Sequence, residues 1–228
     1  MKKLMIFLIG ILYAKELIFY CGITMAKDME NISKLFERTH NVKIKIIPGA
    51  SKELLLIIKK TKKGDLYLPG SAKYILDNKS SFTYFKPVGY NRLVLVRYKN
   101  KRYTFEDLLN NRVATVLCNY ETSSCGRATK KFIEKKYGVN FYNKLFDNAV
   151  EITMDSKPLN RLILQNNNLV GINWKASVKN KNLRTVEIGA EKSVLYLAVI
   201  KYSDKKKLAE EFVNFVYKNN LLKKRGFN

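Results

Sequence analysis

Short apolar runs alternate with segments of helical period along almost the whole chain from Leu17 onward. That alternation restricts the fold to α/β architectures with largely parallel strands. Leu17 to Cys21 is an unbroken apolar run suited to a buried strand, and Met29, Ile32, Leu35 and Phe36 then recur at helical spacing. Val42 to Ile47 alternates as a strand, Pro48-Gly49 breaks it, and Ser51 stands as the N-cap of a helix running through Lys60. The unit repeats with a strand at Asp65 to Leu68, a turn at Pro69-Gly70 and a helix opened by Ser71 that carries Tyr74 and Ile75.

After Pro87 the pattern changes. Arg92 to Tyr98 is a long apolar strand, and a second α/β series follows it. Thr104 with Asp107 three residues on caps a short helix, Val113 to Leu117 is a strand, and Ser123 to Tyr137 is a helix closed by Gly138. Val150 to Met154, Leu159 to Gln165 and Val170 to Trp174 read as strand, helix and strand. Val194 to Tyr202 is another long apolar strand, and Leu208, Phe212, Phe215 and Val216 mark a C-terminal helix. The organisation expected is two α/β lobes joined by two long strands. Lobe 1 starts with residues 15–88, lobe 2 covers 89–195, and 196–228 returns to complete lobe 1.

The remaining N-terminal residues, 1–14, read as a secretory signal peptide. Lys2 and Lys3 precede the apolar run Leu4 to Tyr13, which ends at Ala14, and Lys15 and Glu16 then interrupt it. A spanning helix needs roughly 20 apolar residues, so the expected product is a periplasmic protein, soluble after cleavage behind Ala14. Ile18, Phe19 and Tyr20 lack the small residues a lipidation signal needs before Cys21.

Two lobes leave a cleft, and in open α/β sheets ligands bind beyond the carboxyl ends of the strands. Those ends are the segments Gly22 to Thr24, Gly49 to Ser51, Gly70 to Ser71, Thr122 to Arg127 and Asn173 to Trp174. They combine Gly with Ser or Thr, carry almost no acid, and several immediately precede a helix. Helix N-termini offer unpaired N–H groups and partial positive charge, so hydroxyl-bearing residues around them form a neutral oxyanion site. The candidate ligand-binding residues are Gly22, Thr24, Ser51, Ser71, Ser123, Ser124, Arg127 and Trp174, with Arg127 adding a fork contact. A net charge of +24, from 43 Lys and Arg against 19 Asp and Glu, would raise the local concentration of small anions.

Over nearly all of this span the chain resembles the periplasmic solute-binding proteins of ABC importers with the type II two-lobe fold, in particular their molybdate/tungstate-binding branch. The stretches that carry the resemblance are LIFYCGIT at 17–24, IIPGASKELLLII at 46–58, KKGDLYLPGSAKYI at 62–75, ETSSCGRATKKFIEKKYG at 121–138, LVGINWKASV at 169–178 and AEEFVNFV near the end. The resemblance implies a binding protein that closes on a dehydrated tetrahedral oxyanion and delivers it to an inner-membrane permease, with no cofactor and no catalysis. It places Thr24 and Ser51 on the ligand from lobe 1, and Ser123, Ser124 and the segment Asn173 to Trp174 from lobe 2. The chain departs from the branch in reading Cys-Gly-Ile-Thr in its first loop and in having Trp174 where Tyr is frequent. Phosphate, sulfate or ferric ion are the alternative ligands, and a monomer is expected.

Three other function classes find less support. A thiol enzyme built on Cys21 or Cys125 lacks partners, since His40 is the only His and no carboxylate pair lies among the strand ends. Ferric ion on phenolates has 14 Tyr to draw on, but no adjacent Tyr pair. Nucleic-acid binding rests on charge alone, while the Lys residues are dispersed in pairs and the chain reads as exported. A single His and three Cys cannot build the usual zinc modules. An oxidising compartment permits a disulfide between Cys118 and Cys125 with Cys21 free; the alternative is three reduced thiols packed as small hydrophobes.

Overall fold

The computed structural model describes residues 15–228. The expected signal peptide, 1–14, lies outside the described residues. The chain forms two five-stranded mixed sheets, each flanked by helices, as the two α/β lobes expected from the sequence.

The first sheet has the order β2 (Val42–Gly49), β1 (Lys15–Gly22), β3 (Leu66–Leu68), β10 (Ser193–Ile200) and β4 (Phe82–Asn91). Strands β1, β2 and β3 are parallel, while β10 runs antiparallel to β3 and β4. The alternation of side chains explains why the run at 17–21 is apolar throughout. Leu17, Phe19 and Cys21 enter the core on one face of the sheet, beneath α1 (Ile23–Glu37) and α8 (Lys206–Lys218). Tyr20 enters the core on the other face with Leu54, Leu55 and Ile58 of α2 (Ser51–Thr61) and Tyr74 and Ile75 of α3 (Lys73–Leu76), and Ile18 packs against it. Asp65, buried just before β3, ties this sheet together. Its Oδ2 accepts the Ile18 N–H at 2.7 Å and its Oδ1 accepts the Ser203 hydroxyl at 2.5 Å.

The second sheet has the order β7 (Glu151–Thr153), β6 (Ala114–Cys118), β8 (Leu169–Trp174), β5 (Leu93–Tyr98) and β9 (Leu183–Glu187). Its core joins β5, β6 and β8 to α4 (Phe105–Leu109), α5 (Ser124–Tyr137), α6 (Val139–Asp147) and α7 (Ser156–Gln165). Thr104 and Asp107 form the expected capping box on α4, and Gly138 ends α5 at φ 94°. Helix α6 then begins at once, where no helix is expected from the sequence. Strands β4 and β9 are likewise additions. Pro87 sits in β4, which is tolerated because β4 is the edge of its sheet.

The chain crosses between sheets at Arg92 and returns within 188–192. These points lie a few residues from the sequence boundaries at 88/89 and 195/196, because Asn91 still pairs with Ser193 in the first sheet. At the crossing, Lys175 N–H donates to the Arg92 carbonyl at 2.8 Å, and Glu187 pairs with Arg92 at 3.3 Å and Lys175 at 2.9 Å. A tie between the lobes joins Asp28 of α1 to Lys179, in the connection between β8 and β9. No helix among the described residues is long and apolar enough to cross a membrane.

Candidate functional site

Register brings the strand ends together. Gly22 of β1 stands beside Gly49 of β2, and Cys21 beside Leu68 of β3; in the other lobe, Cys118 of β6 stands beside Thr153 of β7. The segments that leave these ends therefore meet along one edge of each sheet, and the two edges face each other across a cleft of about 240 Å³. From lobe 1 it is lined by 22–25, 49–51, Glu53 and Gly70; from lobe 2 by 122–124 and 154–156. Four helix N-termini, those of α1, α2, α5 and α7, open onto it. No Lys or Arg lines it among the described residues.

The two lobes contribute differently. Gly22 and Ala50, the N-caps of α1 and α2, make no side-chain cap, so the first N–H groups of both helices keep their donor capacity toward the cleft. The lobe 2 helices cap themselves. Ser123 Oγ accepts from the Cys125 and Gly126 N–H groups at 3.1 and 3.4 Å, and Asp155 Oδ1 accepts from the Lys157 N–H at 2.8 Å. Ser51 is held from both sides: its Oγ accepts the Gly70 N–H at 3.0 Å and its carbonyl accepts the Tyr67 hydroxyl at 2.6 Å. A hydroxyl that accepts from the protein keeps its one proton to give elsewhere.

Of the residues singled out from the sequence, Gly22, Thr24, Ser51, Ser123 and Ser124 line the cleft together. Ser71, Arg127 and Trp174 do not. The Arg127 guanidinium donates to the Glu121 carbonyl at 3.2 Å and lies 5.2 Å from the centre of the Tyr74 ring, so it bridges the lobes beside the cleft instead of entering it. Burial pushes the Tyr74 phenol up, and the neighbouring Arg127 charge offsets part of that shift. Trp174 is buried, and its Nε1–H donates to the Ser124 Oγ.

Missing from the sequence reading is the segment Met154-Asp155-Ser156. An Asp-Ser pair directly after an expected strand, with Pro158 in the next turn, was its available signal. Asn173 anchors this segment from below: its amide donates to the Ser156 carbonyl at 3.0 Å, and its Oδ1 accepts the Cys125 thiol at 3.4 Å. The Cys118–Cys125 disulfide is not formed. All three Cys are buried free thiols, and the Cys125 thiol is engaged by the Ile172 carbonyl and Asn173. Burial raises the Cys21 and Cys125 thiols, which leaves neither as a ready thiolate nucleophile.

A cleft of this form, floored by helix N-termini between two lobes that are linked by two crossings, is a place to hold a solute. The family model for bacterial extracellular solute-binding proteins matches residues 17–228. The chain belongs to this family. A solute-binding protein holds its solute and releases it unchanged, and the chain is not an enzyme.

Among solved structures, this solute-binding protein is similar to one described as the substrate binding domain of a molybdenum ABC transporter from Clostridium difficile, at 22% identity, TM-score 0.69, with 89% of this chain and 92% of that chain covered. The periplasmic molybdate-binding protein of Azotobacter vinelandii matches at 14% identity and TM-score 0.74, covering 93% and 98%. The periplasmic binding protein AfuA from Actinobacillus pleuropneumoniae, solved with fructose-6-phosphate bound, matches at 15% identity and TM-score 0.78, covering 91% and 81%. These likenesses establish the fold. No curated protein sequence matches the chain.

Proposed function

We propose that this solute-binding protein captures a small tetrahedral oxyanion of the molybdate, tungstate, phosphate and sulfate class in the periplasm and delivers it, as a monomer, to the membrane permease of an ABC importer. The observation that carries this reading is the convergence of four helix N-termini with the hydroxyl-bearing residues Thr24, Ser51, Ser123 and Ser124 on one cleft. Each charge-assisted hydrogen bond to a dianion contributes roughly 1.5–3 kcal/mol net. Several together reach submicromolar affinity, on the order of −9 kcal/mol, after the costs of association. The charge of +24 speeds anion encounter. The molybdenum and molybdate proteins among the similar structures support an oxyanion in this place.

Ferric ion is the weaker reading. No Tyr lines the cleft, and no group of three His, Cys, Asp or Glu able to hold a metal occurs among the described residues.

Native mass spectrometry of the protein isolated from its own host tests the proposal. The expected result is an adduct with the mass of an oxyanion. An adduct with the mass of iron, a sugar or another uncharged organic solute would overturn it.

A further inference from the structure

We infer that the oxyanion captured here carries a hydroxyl, as hydrogen phosphate does, and that Asp155 selects it. This rests on the oxyanion reading above and narrows its ligand class.

Asp155 lines the same cleft as Thr24, Ser51 and Ser124. It is half-buried, and the bond from the Lys157 N–H to its Oδ1 holds the side chain in place as the N-cap of α7. Its second oxygen stays available to a ligand. A carboxylate accepts hydrogen bonds and does not donate them. Against a fully deprotonated oxyanion it offers only like-charge repulsion, and no Lys or Arg lines the cleft to neutralise it. Arg127, the nearest basic residue in the α5 segment, is engaged by Tyr74 and the Glu121 carbonyl. An O–H on the ligand turns the same encounter into a charge-assisted hydrogen bond. Glu53 also borders the cleft, but it is exposed in the first turn of α2 and can turn to water.

The cap alone does not call for a charge at this position, because Asn and Ser cap helices about as well as Asp. Both lobes carry donors, and the held acceptor comes from lobe 2. Lobe 1 presents the uncapped N–H groups of α1 and α2 with Thr24 and Ser51, and lobe 2 presents Asp155 beside Ser124. That set of groups suits an anion with both bare and protonated oxygens.

Titration calorimetry at neutral pH with inorganic phosphate, sulfate and molybdate, on the wild type and on Asp155→Asn and Asp155→Ser, tests this. Hydrogen phosphate keeps a proton under these conditions, and sulfate and molybdate keep none. The wild type is expected to prefer phosphate by about tenfold or more, and both variants to lose that preference as sulfate and molybdate gain. Both substitutions keep an N-cap, so unfolding midpoints near the wild type's are expected alongside. A wild type that binds sulfate or molybdate as tightly as phosphate, or variants that leave the ratio unmoved, would overturn the role of Asp155 and leave the oxyanion reading standing. Failure of all three anions to bind the wild type would remove both.

Discussion

The indole N–H of Trp174 donates to the hydroxyl oxygen of Ser124 at 3.2 Å. Ser124 lines the cleft and Trp174 does not. With one lone pair taken by the indole, the Ser124 proton is directed away from Trp174 and is left free to donate. Replacing Trp174 by Phe keeps an aromatic ring in the core and removes the N–H. Affinity for a bound oxyanion is expected to fall about threefold to tenfold. Adding Ser124→Ala to that variant should cost less than it does in the wild type. Because Trp174 is the only Trp, its emission is also expected to change when ligand binds. A double-mutant cycle by calorimetry, with fluorescence on the wild type, checks both.

Gly70 marks where the lobes meet. A Cβ there would collide with the Ser124 hydroxyl and come within 3.1 Å of its Cβ and 3.7 Å of the Ser51 Oγ. The Gly70→Ala variant is expected to hold the lobes apart. An overpacked contact costs about 1–3 kcal/mol, which here falls on closure and so on affinity, about 5- to 150-fold. Since the contact is between lobes, each lobe's own core is untouched. Calorimetry should show the weakened binding while the thermal unfolding midpoint stays close to the wild type's.

Asp65 is expected to matter for stability and not for ligand. Substituting Ala removes the acceptor of the Ile18 N–H and of Ser203, and leaves Lys205, 3.8 Å away, without its buried partner just before β3. Losing a buried charged acceptor and leaving its partly buried donor orphaned costs about 2–4 kcal/mol. Urea unfolding should show a lower midpoint with an unchanged slope.

The ion pairs beside the crossing should weaken in acid. Glu187 is held below the usual carboxylate range, chiefly by its bond from Lys175 and then by Arg92. A lowered folded-state value means that its contribution is complete at neutral pH and is lost as pH falls through that value. The contribution is small, because half of the side chain is exposed. The stability difference between wild type and Glu187→Gln is therefore expected to be present at neutral pH and to vanish in strong acid, as followed by thermal unfolding across that range.

How far the sequence reveals this molecule depends on which forces act locally. Strand β1, helix α2 and helix α5 are legible because apolar period and end signals agree: Leu17 to Cys21 is buried on both faces, and Ser123 caps α5 as its position before the helix implies. Strand β4 is not legible, because its half-exposed edge position and Pro87 remove the usual apolar pattern. Helix α6 hides behind Gly138, which reads as a stop although another helix starts at the next residue. In the cleft, hydroxyls at strand ends lead to Thr24, Ser51, Ser123 and Ser124 through local chain geometry. Arg127 and Trp174 are the right kinds of residue near the right helix, but their directions are set by Tyr74 and Ser124 across the fold. A search for acid-free segments also passes over Asp155.

Thr24 offers the most direct measurement of the central claim. Thr24 lines the cleft at the start of α1, and Thr24→Val changes a hydroxyl for a methyl of similar shape. Ser51→Ala and Ser123→Ala would also remove the bonds to Gly70 and the cap of α5. Titration calorimetry of wild type and Thr24→Val with molybdate, tungstate, sulfate and phosphate is expected to show at least one oxyanion binding the wild type in the micromolar range or tighter. The variant should bind the same anion about 5- to 150-fold more weakly, corresponding to about 1–3 kcal/mol. Failure of all four to bind the wild type below millimolar concentration would contradict oxyanion capture in this cleft.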